Sequence, residues 1–188
     1  MRIVKKPEER RAEMVAAASK LFAQQGFVRT SVAEIVSAVD VAKGLFYYYF
    51  TTKDDMVKAV VEGFTSYLGE QAMEIARSEG DAKEKMMRLM RHEMWGRCFT
   101  QPMLGDLCLP QHAALYSDMC DRMMAHMGGA LEMILAQAMR ERGMNEAQVH
   151  TLSGVGLYGV LMMARRGEMS MDSATDIFWR LCGLHHAG

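Results

Sequence analysis

The stretch TSVAEIVSAVDVAKGLFYYYFTTK, residues 30–53, decides the fold of this 188-residue chain. Ser31 and Glu34 form the S-x-x-E pattern of a capping box, which marks the first turn of a helix. Apolar residues then follow at spacings of three and four and predict a helix of about two turns: Val32, Ile35, Val36 and Val39. Asp40 stands where a left-handed turn residue is needed, a conformation that Asp tolerates better than most residues. A second short helix is predicted over residues 43–49.

Helical patterns extend from this stretch in both directions. A first helix is predicted from Pro7, which suits a first helical turn, to Gln25, with Gly26 as its C-terminal cap. A long helix is predicted from Lys53 to about Ser78. Further helical segments are predicted over 82–100, 102–116 with breaks, 117–142, 146–166 and 173–184. Since no strand-like alternation occurs, we predict an all-α fold with about nine or ten helices.

The composition is that of a globular protein, with 50% apolar and 24% charged residues. No run of about 18 or more apolar residues is present, so no membrane-spanning helix is predicted. The segment MRIVKKPEERRAEM lacks the apolar stretch of a signal peptide, and we expect a cytoplasmic protein. We find no glycine-rich phosphate loop, no Ser/His/Asp arrangement and no carboxylate pair, so we predict neither an enzyme nor a cofactor.

The charge is distributed unevenly along the chain. Residues 1–60 hold 10 basic and 7 acidic residues, whereas residues 61–188 hold 12 basic and 16 acidic residues. A mildly basic head on an acidic body is compatible with a small DNA-binding part followed by a larger part with another task.

The short helices on either side of Asp40 have the pattern of a helix-turn-helix, which needs a small apolar core and a polar outer face. The residues predicted on the outer face of the second helix are Lys43, Gly44, Leu45, Tyr47 and Tyr48. The alternative is that Tyr47, Tyr48 and Tyr49 form a packed aromatic cluster. Three consecutive helical residues span too wide an arc for all of them to be buried, so this face favours a surface that enters a DNA groove.

This helix-turn-helix segment resembles the DNA-binding domain of the TetR family of bacterial transcriptional repressors. The residues in register with the family pattern are Thr30, Ile35, Val41, Gly44, Phe46, Tyr47, Tyr49, Phe50, Lys53, Asp54 and Met56. The sequence departs from the pattern at two positions. Asp40 stands in place of the usual turn glycine, and Ala42 in place of the usual serine cap of the recognition helix.

The resemblance implies a role for each matching residue. Thr30, Tyr49 and Lys53 match positions that contact DNA phosphates. The positions that face bases or the groove edge are matched by Lys43, Gly44, Leu45, Tyr47 and Tyr48. It also implies a DNA-binding domain over 1–52 and a larger ligand-binding and dimerisation domain over 53–188. The expected partners are a double-stranded operator with an inverted repeat, a small-molecule effector and a second copy of the chain.

A methionine-rich region of the body is a candidate effector pocket. Flexible thioethers suit a pocket for apolar or aromatic ligands, although the same residues are equally compatible with an ordinary core. The candidate ligand-binding residues are Met94, Trp95, Phe99, Met103, Tyr116, Met119 and Met123.

The segments 117–142 and 146–166 are candidates for the dimer interface. Glycines at 154, 156 and 159 cost stability inside a helix, so they indicate the close approach of another helix. The resemblance implies that these helices pack against their two-fold mates; from the residues alone, close packing within one subunit is the alternative. The candidate interface residues are Leu131, Leu135, Gly154, Leu157, Tyr158 and Leu161.

Two other classes of function stay open. A redox- or metal-responsive regulator could sense through Cys98, Cys120, the pair Cys108 and His112, or the group Cys182, His185 and His186. These sulfurs and imidazoles are more simply explained as core and tail residues, so we predict no metal site. A helical ligand-binding protein or enzyme without a DNA function is the remaining alternative.

Overall fold

The computed structural model describes residues 6–90 and 101–166, together with Ser173, Asp176, Ile177 and Arg180. Within these residues the chain forms eight α-helices and no strand, which confirms the predicted all-α fold. The helices are α1 (Pro7–Gln25), α2 (Val32–Ala38), α3 (Lys43–Tyr49), α4 (Lys53–Arg77), α5 (Ala82–Leu89), α6 (Gln101–Cys108), α7 (Ala113–Glu141) and α8 (Val149–Arg165). Single 3₁₀ turns at Pro110–His112 and Glu146–Gln148 precede α7 and α8. No helix in the described ranges is long and apolar enough to cross a membrane.

The helix limits agree with the predictions best at the N-terminal end of the chain. α1 and α3 have the predicted limits, and α4 ends one residue before Ser78. α7 begins at Ala113 rather than at residue 117, because the 3₁₀ turn at Pro110–His112 leads directly into it. The helix predicted over 82–100 is described only as α5, and residues 91–100 lie outside the described residues. Most of the helix predicted over 173–184 also lies outside them.

The chain separates into two compact units. The first, here called the N-terminal unit, comprises residues 1–64 and 99–119, and the second, the C-terminal unit, comprises residues 65–98 and 120–188. Both α4 and α7 therefore contribute residues to each unit. These units are defined by packing. The predicted functional division into residues 1–52 and 53–188 stays a prediction.

The N-terminal unit is built around α1. Pro7 occupies the first turn of this helix, and Glu8 and Glu9 follow it, where the helix dipole favours acidic side chains. The helix ends at Gly26, whose φ of 81° is open to glycine and whose N–H donates to the carbonyl oxygen of Phe22 at 2.9 Å. α1 packs against α2 and α6, and α2 packs against α3. The core of this unit includes Met14, Ala18, Phe22, Phe27, Ile35, Phe46, Phe50, Met56 and Val57, all at most 2% exposed.

The C-terminal unit contains a close crossing of α4 and α7. A Cβ atom added at Gly69 would lie 2.7 Å from both the Cβ atom and the carbonyl oxygen of His126. No side chain has room there unless the helices move apart, so glycine permits this crossing.

A buried lysine holds α5 in the C-terminal unit. The Lys85 side chain is 6% exposed, and its Nζ donates to the carbonyl oxygen of Ala76 at 3.1 Å and to Oε1 of Gln137 at 2.7 Å. Ala76 lies in the last turn of α4, where a positive charge is favoured by the helix dipole. The N–H of Ala82 donates to the Glu141 carboxylate at 3.2 Å. Both Lys85 and Ala82 of α5 therefore have a hydrogen-bond partner in α7.

Candidate nucleic-acid interface

The capping box at the start of α2 forms as predicted. The Ser31 hydroxyl accepts from the N–H of Glu34 at 3.2 Å, while the Ser31 N–H and hydroxyl both donate to the Glu34 carboxylate at 2.7 Å. The Gln25 side chain donates to the other oxygen of this carboxylate at 3.1 Å. The backbone hydrogen bond from Ser31 lowers the pKa of the Glu34 carboxyl, and the bonds from the Ser31 hydroxyl and Gln25 act in the same direction.

The turn between α2 and α3 is tight, and its strain is confined to one residue. Asp40 has a φ of 50°, the one positive value at a non-glycine residue in the described part of the chain. This confirms the predicted left-handed turn residue. The N–H of Val41 then donates to the carbonyl oxygen of Val36 at 3.0 Å and closes the turn. Ala42 precedes α3 without a side-chain cap, as the departure from the family pattern predicts.

α3 presents phenols and a cation outward and buries one aromatic ring inward. Phe46 is fully buried and packs against Phe50, with ring centroids 5.5 Å apart. Tyr47 and Tyr48 are 51% and 75% exposed, so the alternative of a packed cluster of three tyrosines is wrong. Lys43 and Gly44 are also exposed, and Leu45 and Tyr49 are half-buried. Lys43, Gly44, Tyr47 and Tyr48 are called the α3 surface below.

The side chains of the α3 surface are arranged by their neighbours in the helix. The Lys43 Nζ lies 5.9 Å from the centroid of the Tyr47 ring, within the range of a cation–π contact. The Tyr48 and Tyr49 rings meet edge to face, with centroids 4.9 Å apart and planes at 85°. A Cβ atom added at Gly44 would have no atom within 4 Å, so the backbone is open to an approaching surface there.

Thr30 and Lys53, two residues predicted to contact phosphates, form hydrogen bonds within the protein. Thr30 is 1% exposed, and its hydroxyl donates to the carbonyl oxygen of Gly26 at 2.7 Å. The Lys53 Nζ donates to the carbonyl oxygen of Phe27 at 2.9 Å and to those of Val28 and Thr30 at 3.3 Å. Both side chains therefore fix the loop between α1 and α2.

The comparisons with known proteins agree with this geometry. The profile described as "Bacterial regulatory proteins, tetR family" matches residues 14–60, which hold most of α1, all of α2 and α3, and the start of α4. Residues 14–60 of this chain thus resemble the TetR family of bacterial regulatory proteins.

Curated relatives of this chain are named as transcriptional regulators and not as enzymes. The chain is 34% identical over 91 residues to the HTH-type transcriptional regulator HbdR of Aromatoleum sp. (strain CIB), an alignment that covers 48% of this chain and 38% of HbdR. It is 27% identical over 88 residues to the HTH-type transcriptional repressor KstR2 of Mycobacterium tuberculosis, with 47% of this chain and 44% of KstR2 covered. The chain thus spans less than half the length of these curated relatives.

Solved structures show that the likeness in fold extends over nearly the whole chain. RolR in complex with resorcinol superposes with a TM-score of 0.70 at 17% identity and covers 95% of this chain and 88% of RolR. FadR from Bacillus subtilis in complex with stearoyl-CoA superposes with a TM-score of 0.56 at 15% identity, covering 93% and 99% of the two chains. At these identities the comparison concerns the fold alone.

The candidate effector residues are buried where they are described. Met103, Tyr116, Met119 and Met123 are each at most 1% exposed. The remaining candidates, Met94, Trp95 and Phe99, lie outside the described residues. Burial of these side chains is equally compatible with a pocket lining and with a core.

A groove of about 780 Å³ lies in the C-terminal unit and contains none of those candidates. It follows one face of α4 and reaches α7 only at His126. The residues that line it are Ser66, Gly69, Glu70, Met73, Glu74, Arg77, Ser78 and His126. This lining is more polar than the methionine-rich pocket that the sequence predicts.

The candidate dimer residues are divided between the subunit core and its surface. Leu131, Leu135, Leu157 and Leu161 are at most 7% exposed within the single chain. Gly154 is half-buried, whereas Tyr158 is 45% exposed and its neighbour Val155, which the sequence analysis did not single out, is 63% exposed. The exposed apolar face of α8 is therefore centred on Val155 and Tyr158.

The cysteines and histidines do not assemble into a metal site within the described ranges. No group of three or more His, Cys, Asp and Glu side chains there is placed to hold a metal ion. Cys108 is half-buried and Cys120 is buried. The other candidates, Cys98, Cys182, His185 and His186, lie outside the described residues.

Proposed function

We propose that this chain is a transcriptional repressor that acts in the cytoplasm and binds double-stranded DNA as a homodimer at an inverted repeat. The observation that carries the proposal is the α3 surface, where Tyr47, Tyr48 and Lys43 are exposed on a short helix while Phe46 anchors its back in the core. A small protein gains no stability from exposing two neighbouring phenol rings in this way, so the exposure points to a partner surface.

The N-terminal half of α3 enters the major groove in this proposal. The Lys43 ammonium pairs with a guanine edge or a phosphate, and Leu45 contacts a thymine methyl group. Gly44 allows the backbone to approach the groove closely, because no side chain stands between them.

Phosphate contacts on either side of α3 fix its orientation. Tyr49 is half-buried at the end of α3 and directs its phenol to the phosphate backbone in this proposal. Thr30 and Lys53 act by holding the loop before α2, since their donors already have partners inside the protein. Residues 1–52 thus form the functional DNA-binding domain.

The second copy of the chain docks on the α8 face that contains Val155 and Tyr158. A two-fold axis through this interface places two α3 helices on successive major grooves, about 34–36 Å apart. Gly159 supports the proposal because it is exposed and an added Cβ atom there would have no atom within 4 Å, which leaves room for a partner helix. Residues 53–188 form the ligand-binding and dimerisation domain.

A small apolar or aromatic effector releases the repressor from DNA. Flexible methionine side chains suit this class of ligand, and the structural relatives RolR and FadR are solved with resorcinol and stearoyl-CoA. Release requires that the effector bind the DNA-free conformation more tightly, and such coupling is typically about 1–3 kcal/mol.

Fluorescence anisotropy on a duplex selected from a random pool by the wild-type protein tests the proposal. Lys43→Ala and Tyr48→Ala should each weaken binding by about 1–3 kcal/mol. If Lys43 pairs with a phosphate, Lys43→Ala should also reduce the slope of log affinity against log salt by about 1. The matched controls are Lys83→Ala and Tyr67→Ala, which remove an exposed lysine and an exposed tyrosine in the C-terminal unit. Unchanged affinity and salt slope in both α3 variants would overturn the assignment.

A further inference from the structure

Three consecutive residues of the α1–α2 loop, Gly26, Phe27 and Val28, each contact the segment 102–112. This segment contains α6 and the 3₁₀ turn that follows it, and it belongs with the loop to the N-terminal unit. One of these contacts, between Val28 and Asp106, joins residues 78 positions apart in the sequence. They concern the loop that leads directly into α2, the first helix of the helix-turn-helix.

The first contact is a hydrogen bond to a carboxylate. The N–H of Val28 donates to Oδ2 of Asp106 at 2.8 Å. The charge on the acceptor makes this bond shorter and stronger than a bond between neutral groups. The Asp106 carboxylate is thus the hydrogen-bond acceptor for the Val28 amide.

The second contact is steric. A Cβ atom added at Gly26 would collide with Oδ2 of Asp106 and would lie 3.1 Å from the carbonyl oxygen of Pro102. With its φ of 81°, Gly26 meets both a backbone and a space requirement that other residues do not meet. The Asp106 side chain therefore packs directly against the backbone of the loop at Gly26.

The third contact is aromatic. The buried ring of Phe27 lies 4.9 Å, centroid to centroid, from the imidazole ring of His112. Nδ1 of His112 lies 2.7 Å from the carbonyl oxygen of Asp106, so a hydrogen bond from the imidazole N–H orients the histidine on the same segment. Asp106 hence takes part twice, through its side chain and through its backbone.

The opposite side of the loop is held by Lys53 and Thr30, as described above. The loop is consequently clamped between the start of α4 and the end of α6. The direction of α2 depends on the position of this loop. A shift of α6 that moves the Asp106 carboxylate away from the loop therefore removes one of the two restraints on α2 and α3.

We propose that Asp106 is a positioning residue for DNA recognition, which acts on the α3 surface through the Val28 amide and the α1–α2 loop. This inference rests on the proposed DNA-binding function. It extends that function to α6, an element far from the α3 surface in sequence. Operator affinity then depends on the position of α6 relative to the α1–α2 loop.

The test uses the full chain and compares operator affinity with amide hydrogen exchange at Val28. Asp106→Ala removes the acceptor and should weaken operator binding about tenfold, because a charge-assisted bond is lost, and should speed exchange of the Val28 amide. Asp106→Asn keeps an acceptor oxygen at nearly the same place but removes its charge, so both quantities should lie between those of the wild type and those of Asp106→Ala. The salt slope should be unchanged in both variants, since no phosphate contact is lost.

Two controls separate positioning from general destabilisation. Asp121→Ala removes an exposed aspartate of α7 and should change neither quantity. Leu115→Ala truncates a residue that is 6% exposed in the N-terminal unit, the unit that contains Asp106. This variant should lower stability while operator affinity is retained. If Asp106→Ala does not fold, Asp106→Ser replaces it with the same expected results.

The outcomes distinguish this inference from the proposed function. A wild-type protein that binds no duplex would defeat the proposed function regardless of Asp106. A wild-type protein that binds, combined with unchanged affinity and unchanged Val28 exchange in Asp106→Ala, would defeat the inference alone. Equal weakening by Leu115→Ala and Asp106→Ala would also overturn it, because the effect would then follow stability and not position.

Discussion

The ammonium nitrogen of Lys53 lies 2.9 Å from the carbonyl oxygen of Phe27 and joins the first residue of α4 to the loop that follows α1. Two more loop carbonyls, those of Val28 and Thr30, lie within 3.3 Å of the same nitrogen. A lysine ammonium has three donor hydrogens, and this geometry provides a partner for each of them. Lys53 therefore has a measurable part in folding, separate from any contact with DNA.

Lys53→Met should lower the free energy of unfolding by about 1–3 kcal/mol, because three carbonyl groups lose a charged donor while the apolar stem is kept. Urea denaturation of the DNA-free protein measures the change. Lys58→Met, at an exposed position of the same helix, should stay within about 0.5 kcal/mol of the wild type. Equal stability of the two variants would show that the Lys53 hydrogen bonds contribute nothing to the fold.

Ala42→Ser should stabilise the protein by about 1 kcal/mol, because it supplies the side-chain cap that α3 lacks. Thermal unfolding followed by circular dichroism detects the shift. Ala12→Ser, at an exposed interior position of α1, is the matched control and should cost a few tenths of a kcal/mol, in line with its lower helix propensity. Stabilisation of the same size at both positions would argue against capping as the cause.

The contribution of Glu34 to stability should disappear in acid. Its pKa is lower in the folded state than its ordinary value of 4.5, so the ionised carboxylate stabilises the fold above that value. The contribution is lost as the pH falls through the folded pKa. The unfolding free energies of wild type and Glu34→Gln should therefore differ at pH 7 and converge as the pH is lowered.

The matched control for Glu34 is Glu70→Gln, an exposed glutamate in the middle of α4. Its effect on stability should be small at both ends of the pH range. A difference between wild type and Glu34→Gln that stays constant down to pH 2, or grows, would contradict the assignment of the capping carboxylate.

Val155→Glu should convert the proposed dimer to a monomer, because it places a charge at the most exposed apolar position of α8. Sedimentation velocity measures the change in mass. Met87→Glu adds the same charge at another exposed apolar position, 50% exposed on α5, and should leave the dimer intact. A Val155→Glu protein that remains dimeric with unchanged affinity would place the interface elsewhere.

The sequence predicted the helix-turn-helix well because its determinants are local. The Ser31 and Glu34 capping box and the left-handed Asp40 depend on residues within a few positions of one another, and the structure contains both. The buried Phe46 and the exposed Tyr48 follow from helical periodicity in the same way.

The remaining features depend on distant residues and could not be predicted from local patterns. Nothing near Val28 indicates that its amide meets Asp106, 78 residues later. The burial of Leu131 and Leu135 within the single chain likewise depends on which face of α7 meets its own subunit. Helical spacing identifies an apolar face, but it does not distinguish the subunit core from a partner.

The buried Lys85 has a consequence for the order in which the chain acquires its structure. α5 has 8 residues, fewer than the roughly 12–15 that an isolated helix needs to persist in water. One partner of the Lys85 ammonium, Gln137, lies 52 residues further along. During synthesis, which proceeds from the N-terminus, the hydrogen bond between Lys85 and Gln137 cannot form until the end of α7 has left the ribosome.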